Sequence, residues 1–209
     1  MIYNVVFVTA FTSYYKDARD EKRVEECKHT VQSLRKHVPN VFVVVNEGSS
    51  YKWKEEELQA DKLTYTSVQG LHKSHGDHWL WFSMFSSDWF QTLCKEHDVK
   101  TAAKISGRYY LLDNFTWKIE NETLHLAKYR LHDQVMVTYY FRFHKDFFPH
   151  VLTTCQQIEN AWRAGRLNHT DIEHAMFQYN VLDPRFAIAE ETPIGVGGWC
   201  AGDQLWHEV

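Results

Sequence analysis

The chain has 209 residues, 44% hydrophobic, 24% charged and 15% aromatic, with a net charge of −4 at pH 7. A chain of this length can bury a full core without disulfide or metal staples, and its acidic balance argues against a dedicated nucleic-acid binder. No run reaches the ~18 to 20 apolar residues of a membrane helix, and the start, Met1 to Val8, lacks a basic leader and a small-residue cleavage site. No membrane span is expected, and a cytoplasmic location is expected by default. Cys27, Cys94, Cys155 and Cys200 form no C-x-x-C pair and read as reduced thiols. Three Asn-X-Thr triplets, at Asn114, Asn121 and Asn168, then read as chance matches. Eight Trp and 13 His exceed what packing needs at this size.

Tyr3 to Thr9 is a continuous apolar run, as in a strand covered on both faces of a parallel sheet. Val24, Cys27, Val31, Leu34 and Val38 recur at helical spacing, and Pro39-Asn40 ends that helix. Val41 to Val45 is a second buried strand. Tyr51 to Asp61 reads as a short charged helix and Leu63 to Val68 as a third strand. An aromatic helix is expected from Asp77 to Glu96, and a strand from Thr101 to Ile105. Trp117 to Ile119 and Leu124 to Ala127 read as a hairpin around Asn121-Glu122. Gln134 to His144 alternates, with Thr138, Tyr140, Arg142 and His144 on a wetter face. Asp146 to Ala164 is a helix stopped by Gly165, Thr170 to Tyr179 another, and Ile194 to Trp199 a Gly-rich strand or loop. The whole reads as one domain, 1–209, with a first half to about residue 113 that opens as the nucleotide-binding half of many α/β folds does, and a second half after it.

The β-α-β opening suggests a nucleotide site, yet the turn after the first strand is Thr9-Ala10-Phe11-Thr12, without glycine. Dinucleotide-binding and S-adenosylmethionine sites need glycine there, and no P-loop occurs elsewhere. Phosphate must therefore be met by other groups. Lys73-Ser74-His75-Gly76-Asp77-His78 precedes a helix, where free N–H groups and the dipole favour an anion; Lys73 adds charge, and His75, Asp77 and His78 offer ligands for a divalent ion. Taken alone, the same stretch reads more readily as a capping box, Ser74 with Asp77. Lys104-Ile105-Ser106-Gly107-Arg108-Tyr109 places two cations and a glycine at the end of a buried strand, where α/β sheets bind ligands. Arg108 suits a carboxylate or phosphate. His169 to His174 opens a late helix with Asp171 and Glu173, carboxylates able to act as a general base, while Thr170 with Glu173 also forms a capping box. Most of Trp79, Trp81, Phe82, Phe85, Trp89 and Phe90 read as core.

Together, the buried first strand, the G-x-x-x-x-x-G-D turn at 70–77, K-I-S-G-R-Y at 104–109, the late carboxylates and I-G-V-x-G at 194–198 resemble the small glycosyltransferases of the GT-A fold, viral and bacterial. The likeness is to those that decorate a chlorella-virus major capsid protein. The resemblance implies a single-domain, Rossmann-related α/β fold with a mixed central sheet of about six or more strands flanked by helices. It implies a hexosyltransferase that moves a sugar from a UDP-sugar, glucose-like, to a glycan or glycoprotein, in host-cell cytoplasm if the protein is viral. It further implies Mn²⁺ or Mg²⁺. Donor-binding roles would fall on Thr9, Ala10, Phe11, Lys73, His75, Lys104 and Gly107, the metal on Asp77, and catalytic roles on Arg108, Asp171 and Glu173. The chain departs from the family in having no D-x-D triplet; Ser106-Gly107-Arg108 stands on that strand instead. A non-catalytic nucleotide- or carbohydrate-binding module of the same fold is the alternative.

Overall fold

The computed structural model describes residues 4–11, 18–48, 53–71, 73–117, 125–130, 133–167, 172–180, 186–188, 194–199 and 206–208. The first strand, β1 (Asn4–Ala10), is buried along its whole length. Its apolar run has no wet face because layers cover both sides of the sheet. Odd residues Val5 and Phe7 meet one core layer, with Trp81, Phe85, Phe90 and Phe141. Even residues Val6 and Val8 meet the other, with Val31, Leu34, Tyr109 and Tyr140. A strand's two-residue period thus divides one apolar segment between two cores.

Helix α1 (Ala18–His37) supplies Val24, Cys27, Val31 and Leu34 to the second layer. Acidic Asp20 and Glu21 in its first turn, and Arg35, Lys36 and His37 in its last, complement the helix dipole. β2 (Val41–Glu47), the single helical turn α2 (Glu55–Leu58) and β3 (Lys62–Tyr65) follow. The charged segment after Tyr51 therefore forms a much shorter helix than its composition suggests. Gln59 closes it in the left-handed region, with φ 56°.

The expected aromatic helix is two helices, α3 (Lys73–Phe85) and α4 (Asp88–Glu96). Ser86 and Ser87 turn their hydroxyls back onto Phe82 O (2.7 Å) and Met84 O (2.6 Å), and Ser87 Oγ caps α4 by accepting from Phe90 N at 3.2 Å. Serine side chains compete with the helix ladder in this way. β4 (Thr101–Ser106) and the short β5 (Tyr109–Leu111) come next.

The first strand and turn of the expected hairpin, 118–124, lie outside the described residues; β6 (His125–Arg130) pairs antiparallel with β7 (Val135–His144). The face of β7 read as wetter is covered: Thr138, Tyr140 and Arg142 are buried. A 3-10 turn, Lys145–Phe147, leads into α5 (Phe148–Arg163), and Gly165 (φ 65°) follows its end as predicted. α6 (Ile172–Asn180), β8 (Phe186–Ile188), β9 (Val196–Trp199) and β10 (Trp206–Glu208) complete the described chain.

The central sheet has seven strands in the order β3-β2-β1-β4-β7-β6-β8. β3, β2, β1 and β4 are parallel, and β7 runs against both its neighbours. A small antiparallel sheet, β10-β9-β5, stands beside it. The fold is a mixed α/β sheet flanked by helices, as the resemblance implied. From β1 the chain winds outward to β2 and β3, then returns to β1's other edge as β4. The carboxyl ends of β1 and β4 therefore form the topological switch point, the crevice where such sheets take ligands. No helix among the described residues is long and apolar enough to cross a membrane.

Candidate functional site

Residues from five separate elements meet at that switch point. Thr9, next to last in β1, donates its hydroxyl to Asp77 Oδ1 at 2.8 Å. Asp77 is on the second turn of α3, and its other oxygen accepts from Lys104 Nζ at 2.9 Å. Lys104 is only 1% exposed. Its ammonium also donates to Ser106 Oγ at 2.8 Å and to Thr138 O at 2.7 Å, so all three N–H donors have acceptors. Thr138, on β7, passes the network on: its hydroxyl donates to Glu173 Oε1 on α6 at 2.6 Å. The chain Thr9–Asp77–Lys104–Thr138–Glu173 thus joins β1, α3, β4, β7 and α6.

Burial alone would raise the Asp77 pKa. The Lys104 charge and hydrogen bond, the Thr9 hydroxyl and the more distant Arg108 overcome it and hold the carboxyl below its usual range. Asp77 is therefore the counter-ion of a buried lysine. The capping-box reading of Ser74 with Asp77 does not hold, because this carboxylate turns to the sheet rather than to its own helix.

The turn after β4 is shaped by close packing. Gly107 N donates to Thr9 O at 2.9 Å, and a Cβ there would lie 3.2 Å from Thr9 O and 3.3 Å from Val8 Cγ1. The glycine lets the turn close on β1. Arg108 N bonds Ser106 O at 2.8 Å, tightening the turn that carries Arg108. The tail glycines serve the same corner, since a Cβ at Gly198 would come within 2.4 Å of Arg108 O. Ala10 O accepts from Gly48 N at 2.9 Å, and Phe11 fits between glycines: a Cβ at Gly48 would reach within 2.9 Å of its ring.

Other predicted residues go elsewhere. His75 faces α5: its Nε2 lies 2.9 Å from Glu159 Oε2, and its ring stacks on Trp162 at 4.6 Å. It does not join the Asp77 group. His78, fully buried, stacks on Phe82, and neither of its ring nitrogens has a hydrogen-bond partner among the described residues. Burial first, then the neighbouring His75, pushes its pKa down to about 3, so the ring is neutral. Lys73 begins α3, with its side chain outside the described residues, as is all of Asp171. Sequence reasoning missed Thr138 and Glu159. Thr138 contributes partly through a backbone carbonyl, which no residue type advertises. Glu159 is a carboxylate only 2% exposed inside an ordinary amphipathic helix.

Among the described residues, no three His, Cys, Asp or Glu side chains gather as a metal site. Asp77 does not fit a divalent ion. A dication bound to its carboxylate would sit about 4 Å from the Lys104 ammonium, a repulsion on the order of 8 kcal/mol at the effective dielectric of protein sites.

No family model and no curated protein matches the chain. Solved structures do. A galactosyltransferase, LgtC, crystallised with donor and acceptor sugar analogues, matches with a TM-score of 0.61 over 98% of this chain and 89% of its own, at 8% identity. The glycosyltransferase GlyE of Streptococcus pneumoniae TIGR4 matches with a TM-score of 0.52 over 91% of this chain, at 10% identity. The chain spans 45% of that protein's length. The chain has the fold of these transferases. A glycosyltransferase involved in glycosylation of the PBCV-1 major capsid matches with a TM-score of 0.48 at 11% identity, over 90% of this chain and 81% of its own. That score is too low to carry the capsid resemblance.

Proposed function

We propose that the protein is a glycosyltransferase that uses a nucleotide-sugar donor, with its reaction centre at the carboxyl ends of β1 and β4. The observation that carries this reading is the convergence of Thr9, Asp77, Lys104 and Arg108 at the topological switch point, in a fold shared with glycosyltransferases. A UDP-sugar with a glucose-like hexose is the proposed donor, and a glycan or glycoprotein the proposed acceptor. A role in capsid glycan synthesis in host-cell cytoplasm is the narrowest form of the reading.

In this scheme Thr9, Ala10 and Phe11 border the nucleotide. Departure of a nucleoside diphosphate leaves charge on its terminal phosphate, and fixed donors or cations aimed at that charge supply the largest catalytic effect. Arg108, on the tight turn closed by Gly107, is the group for that task, since guanidinium holds phosphate through paired hydrogen bonds. Glu173, held by the Thr138 hydroxyl, and Asp171 are the carboxylates proposed on the acceptor side, able to take a hydroxyl proton if the reaction inverts the anomeric carbon. Lys73 is retained as an outer donor contact, whereas His75, turned to Glu159 and Trp162, leaves that set.

The experiment is incubation with a panel of nucleotide sugars, with release of free nucleotide and sugar followed by chromatography. Turnover of at least one donor is expected. Failure of every nucleotide sugar to bind or turn over contradicts the reading. The neutral pairing of Asp77 with Lys104 favours a second reading, a binding module without turnover; saturable UDP binding with no hydrolysis or transfer across the panel selects it.

A further inference from the structure

We infer that the reaction centre neutralises its leaving diphosphate without a divalent metal, because a lysine ammonium already occupies the position a metal would take. The inference rests on the nucleotide-sugar reading above and deepens it. Lys104 Nζ sits in a cage of oxygens: a carboxylate from Asp77 at 2.9 Å, a hydroxyl from Ser106 at 2.8 Å and a backbone carbonyl from Thr138 at 2.7 Å. Carboxylate, hydroxyl and carbonyl are the oxygen types that hard cations select. The cage is drawn from three elements at the ligand-binding end of the sheet, and the cation within it is covalently part of the chain.

Charge points the same way. Asp77 and Lys104 match one another at the centre of the corner, and Arg108 brings a second cation to it. Arg108 lies near enough to help hold the Asp77 carboxyl ionised. The turn after β4 reads Ser106-Gly107-Arg108 and offers no carboxylate. Among the described residues no other acidic or histidine side chain stands with Asp77 to complete a metal site. A dication drawn to Asp77 would have to displace an ammonium that makes three hydrogen bonds at 1% exposure. Lys104 therefore fixes Asp77 and Thr9, while Arg108 meets the phosphates. The chemistry balances without a further reactant: the anomeric carbon–oxygen bond breaks, its electron pair leaves with the diphosphate, and the acceptor hydroxyl passes its proton to the Glu173 carboxylate as the new bond forms.

The test uses the intact wild-type chain with UDP and UDP-glucose as probes, in buffer with EDTA and in buffer with Mn²⁺. Calorimetric titration gives UDP affinity, and UDP release gives turnover. Both are expected to agree between the two buffers within about threefold, since no metal contributes binding energy. Arg108→Ala is expected to weaken UDP binding roughly tenfold or more in EDTA, the size of one charge-assisted contact. Loss of binding and turnover in EDTA with recovery in Mn²⁺ overturns the inference and leaves the transferase reading standing. Absence of binding by both probes in both buffers overturns the nucleotide-sugar reading and this inference with it.

Discussion

Helix α3 carries two titratable clusters on different sides, and they are built differently. On the sheet side, Asp77 is matched by Lys104 and Thr9, and every donor of the ammonium is used. On the α5 side, His75 and Arg163 both reach Glu159, while His78 lies fully buried with unpartnered ring nitrogens. The first cluster sits at the switch point of the sheet, where a ligand belongs. The second joins two helices. A buried charge demands complete matching, whereas a buried imidazole can shed its charge. Titratable residues close together in sequence thus join the proposed reaction centre in one case and helix packing in the other.

Breaking the matched cluster should have the largest effect. Lys104→Met leaves Asp77 without its cation and Thr138 O and Ser106 Oγ without their donor, and a cost of about 3 to 5 kcal/mol is expected from urea unfolding. Stability within about 1 kcal/mol of wild type would mean that the ion pair is incidental. Asp77→Asn should cost less, about 2 to 3 kcal/mol at neutral pH, since the amide keeps the shape but not the charge. Its signature is pH. The Asp77 pKa is lowered by folding, so its contribution is present above the ordinary value of 3.8 and is lost as pH falls from there through the folded value. The variant should lose that part of the acid limb of the stability curve, and an unchanged limb would contradict the assignment.

The second cluster should also lose stability as pH falls, but because burial disfavours a charge rather than because a partner favours one. His78 is depressed from 6.5 to about 3, so the unfolded chain takes up a proton that the folded chain refuses as pH falls through that window. Wild type should lose stability from pH 6.5 downward on this account. His78→Phe keeps the ring stacked on Phe82 and removes the titration. Relative to its effect at pH 7.5, the substitution should stabilise the protein by about 2 kcal/mol at pH 5, read from urea midpoints. A difference that does not change with pH would mean that His78 is already solvated.

Much of the sheet-side cluster was legible in the sequence. Lys104, Gly107 and Arg108 interrupt an apolar run, and Asp77 stands at the edge of an aromatic one; both are local contrasts that residue types display. The role of Asp77 was not legible, because its pairing with Lys104 spans 27 positions and depends on how α3 lies on the sheet. Thr138 looked like a wet-face residue because alternation cannot reveal that a second layer covers β7. The pairing of β6 with β7 was not legible for a related reason: an antiparallel partner is chosen by the sheet as a whole, not by the nearest turn. The break at Ser86-Ser87 was readable, yet aromatic periodicity on both sides concealed it.

The comparison between the two sides of α3 is tested most directly by a crystal structure of the protein with UDP. The account predicts the diphosphate at the Ser106-Gly107-Arg108 turn, in hydrogen-bond reach of the Arg108 guanidinium, with the Thr9–Asp77–Lys104 chain intact beside it. UDP seated instead against His75 and Trp162, or no bound UDP at a saturating concentration, would contradict it.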